Sequence, residues 1–463
     1  MRRAQGILIR KMTPRQRLLL LVAAALAAAL GAAPSQAVGR SFEPGELLVR
    51  FRGESAERVR DLPRQVGVRE AVRSLRRNPH VKWAVPNYIA HAAREPWIPN
   101  DRGTKSSPPG GWQQLQWNFL PCGRECGGNG DAGSTLESFG GIDAPGAWAN
   151  LIEAGRPGAR GVKVAVVDTG VAYRKHGSRF RRSPDLKRRQ FEGGRDFVDG
   201  DRHALDENGH GTHIASTIGE RTDNRKFVTG LAYRARLIPI RVLDEHGAGQ
   251  AHEVARGIRW ATRRGAKIIN LSLEFPGSSV DSCDDVPTVC RAIDRAHAEG
   301  AVVISVTGNT GAPFVAYPGR APNVIATGAT TIRGCLADYS GFGRGIDLVA
   351  PGGGDDVGPA DPQCEPFASG PGIVQLTITN KGRKSGKFRQ FGYPHFDGTS
   401  MASAHVAGTA ALVWAALKER LGRSPTPDEV EARLESTART DGGLGDRTFY
   451  GAGLIDAAAA TAP

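Results

Sequence analysis

The sequence predicts an α/β protein built on a doubly wound parallel sheet with helices on both faces. From about residue 141 onward, apolar runs alternate with helical stretches, which is typical of a parallel sheet covered by helices. Two of the runs lead into polar side chains close to a glycine, at Asp168 and Asn309, as expected at the carboxyl ends of parallel strands. A long apolar helix begins near Ser400, after Gly398. These patterns predict both the sheet and the edge at which its functional residues lie.

The predicted elements of this region follow one another in a regular order. Strands are predicted at residues 162–167, 235–243, 267–273, 301–306, 323–329 and 346–350. Helices are predicted at residues 210–219, 251–264, 286–299, about 400–419 and 427–438. We therefore expect one large domain over residues 141–463.

The chain ahead of this domain divides into three segments. Residues 1–37 combine a basic leader, an apolar run and small residues before Ala37, the pattern of a signal peptide cleaved after Ala37. Residues 38–93 show two strands around a helix, which predicts a small α+β unit. Residues 94–140 are rich in Gly, Pro, Asn and Ser and predict an extended N-terminal arm.

The apolar run of the leader is too short to be a good membrane span. We therefore expect a secreted or periplasmic protein without membrane attachment once the signal is removed. An uncleaved signal anchor is the alternative.

The net charge of +14 does not indicate a nucleic-acid partner once it is located along the chain. Residues 1–37 carry six basic and no acidic residues, and residues 38–93 carry eleven basic and six acidic ones. Residues 94–463 retain a net charge of only +3. Most of the basicity therefore belongs to segments that the mature protein is expected to lose.

Six cysteines behind an export signal favour disulfides. Sequence proximity suggests three pairs: Cys122 with Cys126, Cys283 with Cys290, and Cys335 with Cys364.

Three residues form a candidate catalytic set. Ser400 begins an apolar helix, whose first backbone N–H groups are free to stabilise an oxyanion. A serine needs a base to become a nucleophile, and the base needs a group that orients it. His210 opens a second helix between glycines, and Asp168 ends a buried strand. Together they supply the nucleophile, the base and the orienting carboxylate.

The stretches around Asp168, His210 and Ser400 resemble the signature blocks of the subtilisin-like (S8) serine peptidases, and the resemblance covers roughly residues 141–459. It implies the subtilisin-like fold and a monomeric endopeptidase that cleaves proteins or peptides through an acyl-enzyme and needs no cofactor for the chemistry. It also implies that Asn309 donates a hydrogen bond to the oxyanion.

The resemblance further implies a substrate-binding strand and pocket formed by Ser272, Leu273, Glu274 and Gly308. Glu274 stands where the family usually has glycine. Its carboxylate could favour basic substrates, narrow the pocket or point to solvent.

Residues 38–93 look like a shortened inhibitory (I9-like) pro-segment, which would make the protein a self-processing zymogen cleaved near Ala93. The alternative is an interaction module that the mature protein keeps.

Two groups of oxygen ligands are candidate structural calcium sites. Asp196, Asp199 and Asp201 lie in a loop like one that binds calcium in some relatives, and Asp185 and Asn224 match other family ligand positions. A solvated acidic loop is the alternative for the first group. The cationic stretch 174–189 is either a solvated loop, a surface for an acidic partner or an autolysis site.

Two other functions remain open at this stage. A binding protein on a peptidase scaffold would keep the cleft without turnover. A narrow-specificity maturation protease would cut only particular partners.

Overall fold

The computed structural model describes residues 42–54, 56–63, 66–88, 96–122, 138–277, 279–357 and 364–463. The chain forms two compact units, residues 1–93 and 94–463. The predicted signal peptide, the predicted cleavage position near Ala93 and Cys126 lie outside the described residues.

The first unit is an antiparallel sheet packed against one helix. Its elements are β1 (Phe42–Phe51), β2 (Arg58–Asp61), α1 (Val68–Arg76) and β3 (Val81–Tyr88). The strands lie in the order β2-β1-β3. Leu47 and Val49 of β1 pack with Val68 and Val72 of α1, so alternate strand residues and one helix face share a core. The predicted small α+β unit is present; β2 was not predicted, because a single apolar residue in its four positions gives no alternating pattern.

The second unit is built on a seven-stranded parallel sheet. Its strands are β4 (Lys163–Asp168), β5 (Arg195–Asp196), β6 (Arg236–Arg241), β7 (Ile268–Leu271), β8 (Val302–Val306), β9 (Ile325–Thr330) and β10 (Leu348–Pro351). They lie in the order β10-β9-β8-β7-β4-β6-β5. The six predicted strands are confirmed. The strand order reverses beside β4, and an open α/β sheet forms its site at such a point.

Helices cover both faces of this sheet. The helices of this unit are α2 (Ala144–Glu153), α3 (His210–Gly219), α4 (Ala251–Arg263), α5 (Pro287–Ala298), α6 (Asn380–Lys384), α7 (Thr399–Leu421), α8 (Pro427–Thr437), α9 (Arg447–Tyr450) and α10 (Ala457–Thr461). Helices α2, α3 and α7 contribute to the core on one face, and α4 and α5 form the core on the other. The predicted doubly wound fold is confirmed.

Helix α7 runs through the first of these cores. It is long and apolar enough to cross a bilayer by composition, but 94% of its most apolar stretch is buried inside the fold. The aromatic residues Trp112 and Phe119, in the segment predicted as an extended arm, pack edge-on against Trp148 of α2 in the same core. This segment is therefore part of the central packing of the unit.

Between β10 and α7 the chain forms two short antiparallel pairs. These pairs are β11 (Ile373–Val374) with β14 (His395–Phe396), and β12 (Thr377–Ile378) with β13 (Phe391–Gly392). They pack beside α3, because the Ser216 hydroxyl donates to the Leu376 carbonyl at 3.0 Å. Helix α6 lies between the inner strands of this segment.

Two disulfides connect described residues. Cys283 pairs with Cys290 and Cys335 pairs with Cys364, as sequence proximity predicted. The third predicted pair, Cys122 with Cys126, includes a residue outside the described ranges.

Candidate functional site

Asp168 and His210 form a hydrogen-bonded pair at the carboxyl edge of the sheet. Asp168 is the last residue of β4 and is fully buried. His210 is the first residue of α3, after Gly209, whose φ of +105° is readily accessible only to glycine. The distance from His210 Nδ1 to Asp168 Oδ1 is 2.8 Å. This bond fixes Nδ1 as the donor and leaves Nε2 to accept a proton.

The surroundings of His210 favour its protonated form. Burial alone would lower its pKa, but the charge of Asp168, its hydrogen bond and the charge of Asp206 together raise it above the ordinary histidine value. A base with a raised pKa binds a transferred proton more firmly.

The buried carboxylate of Asp206 shapes the turn that presents His210. Its Oδ1 accepts from the backbone N–H of Asn208 at 2.8 Å and of Gly209 at 2.7 Å, and from the Thr169 hydroxyl at 3.0 Å. Its Oδ2 accepts from the backbone N–H and the hydroxyl of Thr212. Sequence reasoning missed Asp206, although a carboxylate two residues before an Asn-Gly turn is a signal for such capping.

Ser400 lies in the first turn of α7 and is 8% exposed. The turn before it depends on Gly398, whose φ of 152° is open mainly to glycine, and on a bond from the Gly398 N–H to the Tyr339 hydroxyl at 2.9 Å. The Ser400 hydroxyl donates to the Ser272 carbonyl at 3.4 Å. Within the described part of the chain, it makes no hydrogen bond to His210.

Asn309 lies beside the start of the same helix. Its carboxamide oxygen accepts from the backbone N–H of Thr399 at 2.8 Å and from the Thr399 hydroxyl at 3.0 Å. The oxygen is therefore held by the helix, and the NH₂ group is left as a donor. The Ser400 backbone N–H belongs to the same first turn, so both groups lie at the start of α7.

The predicted substrate strand, which includes Ser272, Leu273 and Glu274, follows β7. Its first residue is hydrogen-bonded to α7. Ser272 donates to the Ser400 carbonyl at 3.2 Å, and its hydroxyl lies 2.8 Å from that of Ser403. Leu273 is buried, while the neighbouring Glu274 is exposed. A side-chain carbon at Gly308 would come within 2.6 Å of the Glu274 carboxylate. The carboxylate of Glu274 therefore lies over Gly308.

Two other histidines near the site are buried packing residues. The ring of His213 stacks on Phe396 at 4.7 Å, and burial lowers its pKa to about 3. Burial lowers the pKa of His405 to about 4, and its ring bonds to Asn118 and Met401. Both stay neutral at ordinary pH and are not alternative bases.

The carboxylates of the 196–201 loop do not fit the predicted calcium ion. Arg241 Nη1 lies 3.0 Å from Asp196 and 2.6 Å from Asp199, so a guanidinium already supplies the positive charge. Asp201 instead accepts from the backbone N–H of His203. Residue 241 faces residue 196 across β5 and β6, which the sequence did not reveal.

Asp185, Asn224 and Glu220 supply oxygen atoms of the type that a hard cation prefers. Asp185 Oδ1 accepts from Asn224 Nδ2 at 2.9 Å, while Asp185 Oδ2, Asn224 Oδ1 and both oxygens of Glu220 are buried without a hydrogen-bond partner. Burial raises the pKa of Asp185 to about 8 and that of Glu220 well above its usual range. Arg221, 3.7 Å away, offsets part of this negative charge. Glu220 is a candidate ligand that sequence reasoning missed.

Comparison with known proteins matches this chain to a family model, to curated sequences and to solved structures. The model of the Subtilase family (Peptidase S8) matches residues 159–453. The chain is 36% identical over 303 residues to M-protease of Shouchella clausii (strain KSM-K16), which covers 65% of this chain and 64% of that protein. It is 36% identical to Subtilisin Savinase of Lederbergia lenta, covering 65% of this chain and 91% of that protein. A solved structure of a protease from Pseudoalteromonas arctica PAMC 21717 superposes with a TM-score of 0.58 at 29% identity, covering 79% of this chain and 98% of that one.

Proposed function

Because the chain belongs to the subtilase family, we propose that it is a serine endopeptidase that hydrolyses peptide bonds through Asp168, His210 and Ser400. The observation that carries the proposal is the 2.8 Å bond between Asp168 and His210 at the edge where α7 begins. Asn309, with its amide oxygen bound to Thr399, supports the same assignment.

The chemistry follows from these positions. The Ser400 hydroxyl turns from the Ser272 carbonyl toward His210, and Nε2 takes its proton as the oxygen attacks the scissile carbonyl carbon. Asn309 and the Ser400 N–H stabilise the oxyanion. His210 returns the proton to the leaving amine, and a water molecule then releases the acyl group by the same steps in reverse. Asp168 holds the imidazole in its tautomer and stabilises the imidazolium.

The substrate would bind as an added strand along residues 272–274, with the side chain before the scissile bond entering the pocket beside Gly308. The separate unit over residues 1–93 supports a zymogen in which residues 38–93 are the pro-segment and the cut falls near Ala93. The leader of residues 1–37 supports export to a secreted or periplasmic location.

A structural calcium ion is proposed at Asp185, Asn224 and Glu220, and the catalytic steps need no metal. An ion there would offset the charge of buried carboxylates, three of whose oxygen atoms have no hydrogen-bond partner. We expect millimolar calcium to raise the melting temperature of the protein and chelation to lower it. In the Asp185→Asn variant this response should be lost.

One observation favours a second candidate function, a binding protein without turnover. The Ser400 hydroxyl bonds to Ser272 rather than to the base. If this arrangement persisted with substrate bound, the cleft would hold a peptide without cleaving it.

The two functions are separated by intact mass and N-terminal sequencing of the secreted protein. We compare wild type, Ser400→Ala, and a control variant at an exposed serine, Ser424→Ala. The peptidase is expected to yield wild type and control chains that begin near Arg94, while Ser400→Ala retains residues 38–93. Retention of these residues in all three chains would support the binding protein. Identical cleavage in all three would assign the processing to another protease.

A further inference from the structure

Two segments far apart in the chain share an unusual composition. Residues 174–182 and residues 381–389 each contain five basic residues and no acidic one. The basic residues are Arg174, Lys175, Arg179, Arg181, Arg182, Lys381, Arg383, Lys384, Lys387 and Arg389. The exposed surface formed by these two segments is called the cationic face below.

The two segments are packed directly against each other. The rings of Phe180 and Phe388 stack with centroids 5.2 Å apart. The backbone N–H of Arg181 donates to the Phe388 carbonyl at 3.1 Å, and the Arg179 guanidinium donates to the Gly386 carbonyl at 3.3 Å. The charges are therefore held together on one surface by specific contacts.

The charge of this surface is largely uncompensated. Eight of the ten basic residues are exposed; only Arg174 and Arg383 are partly covered. Across the described residues, the single ion pair that any of the ten forms is between Arg179 and Glu207, at 3.2 Å. Crowded cations without partners repel one another, and an anionic partner would relieve that repulsion.

The rest of the chain beyond residue 93 has the opposite sign. Residues 94–463 contain 44 basic and 41 acidic residues, and ten of the basic ones lie in the two segments. The other positions hold 34 basic and 41 acidic residues, a net charge of −7. The two segments therefore concentrate positive charge that the rest of residues 94–463 lacks. A long polyanion or a membrane surface would also meet these other residues, whose net charge is negative, whereas a short acidic segment would not.

The cationic face adjoins the turn that carries the base. The Thr377 hydroxyl, four residues before Lys381, donates to the carbonyl of Gly209, which directly precedes His210. Glu207, the partner of Arg179, is three residues before His210. A polypeptide in the cleft therefore lies close to this surface. The pro-segment is an unsuitable occupant, because residues 38–93 carry eleven basic and six acidic residues.

We propose that the cationic face is a docking surface for an acidic stretch of the protein substrate, outside the cleft in which the bond is cut. This inference rests on the proposed peptidase function. It makes proteins that carry a run of Asp or Glu near an accessible bond the preferred substrate class. Their attraction to the face acts on binding and association, so it lowers KM and leaves kcat unchanged.

The test uses substrates that share one cleavage sequence and differ only in an eight-residue acidic tail at either end. Three enzymes are compared: wild type, a face variant (Arg181→Gln, Lys384→Gln, Arg389→Gln), and a control variant with the same change of charge at exposed sites elsewhere (Lys105→Gln, Arg160→Gln, Arg291→Gln). At low salt we expect at least one tail to raise kcat/KM about tenfold or more for wild type and control. The face variant should lose most of this gain, and so should wild type at 0.5 M NaCl.

The substrate without a tail serves as the internal control. All three enzymes should cleave it within about twofold of one another. The proposal is overturned if neither tail accelerates wild type, or if the face variant keeps the gain. It is also overturned if duplex DNA or anionic vesicles bind through the face while neither acidic tail has an effect.

A binding measurement separates this inference from the proposed function. If wild type does not cleave even the substrate without a tail, the peptidase proposal fails, and binding of a fluorescent acidic peptide to the Ser400→Ala protein then decides the docking proposal alone. Binding that the three face substitutions weaken at least fivefold, and the control substitutions do not, supports docking. Equal binding by all variants refutes it.

Discussion

Replacing Asp206 by Asn tests whether the turn before His210 depends on a carboxylate that contacts no reacting atom. Asp206 accepts five hydrogen bonds, three at Oδ1 and two at Oδ2. The Asp206→Asn variant keeps an acceptor at one position and places an NH₂ group where Thr212 now donates. The Thr212 hydroxyl can rotate to accept from this group, but the backbone N–H of Thr212 loses its partner.

A buried donor without a partner costs about 1–3 kcal/mol, so we expect Asp206→Asn to lower the free energy of unfolding by about 2 kcal/mol. Asp206→Ala removes all five bonds and is expected to cost about 4–5 kcal/mol, in the range of the most damaging single substitutions. Both values are measured by urea unfolding of the Ser400→Ala protein, in which the proposed nucleophile is removed and self-digestion is not expected.

The same substitution has a kinetic signature that a purely structural role lacks. The charge of Asp206 contributes to the raised pKa of His210, and the base acts only when it is neutral. Removing the charge lowers that pKa, so the acid limb of kcat/KM should move to lower pH. Asp201→Asn is the matched control, because Asp201 is exposed and accepts one bond, from His203. A stability loss below about 0.5 kcal/mol together with an unmoved acid limb would show that Asp206 does not organise the turn.

Three further outcomes are expected. Asp168→Asn should cut kcat by about 10⁴-fold and move the acid limb downward, because His210 loses the charge and the bond that raise its pKa; stopped assays across pH check this. Glu274→Gln should reduce kcat/KM about tenfold for substrates with Lys or Arg before the scissile bond and leave Leu substrates unchanged; equal effects on both would place the carboxylate outside the pocket. Glu431 lies within 4.8 Å of two other carboxylates including Asp347, and burial raises its pKa to about 7. Because the folded protein favours the protonated carboxyl, the contribution of Glu431 to stability is present below about pH 4 and is lost as the pH rises through 7. Glu431→Gln should therefore add about 1–2 kcal/mol at pH 8, after allowance for solvent, and nothing at pH 4; urea unfolding at the two pH values decides.

The sequence predicted those parts of the fold that carry a periodic or continuous apolar signal. The buried strand β4 contains an unbroken apolar run and β8 contains one interrupted only by Ser305, while α3 begins and ends at the residues that the glycine-flanked pattern predicted. The strand β5 has two residues, both of them charged, and the pairs within residues 373–396 are equally short. Strands of two residues are stabilised by the strands and helices beside them. The sequence of so short a segment contains no periodic pattern from which the strand could be predicted.

The same distinction applies to the candidate site: residues in segments with a strong local pattern were predictable, and contacts between distant segments were not. Asp168 and His210 stand in stretches with strong local patterns, and the structure brings them together. Whether an acidic loop binds a metal depends on what the fold places opposite it. The residue opposite the 196–201 loop is Arg241, which is 45 positions from Asp196. The sequence of the loop alone could not predict this contact.

Helix α7 carries Ser400 at one end and runs through the main core along most of its length. A protease is exposed to its own activity, and the molecules most open to attack are those whose cores have loosened. Loosening this core displaces the helix that holds Ser400, the proposed nucleophile, so a molecule that has become digestible is expected to have lost its activity as well. Self-digestion then requires an encounter between one folded and one unfolded copy of the protein. Its rate should therefore increase with the square of the protein concentration, and dilute enzyme should remain intact for longer.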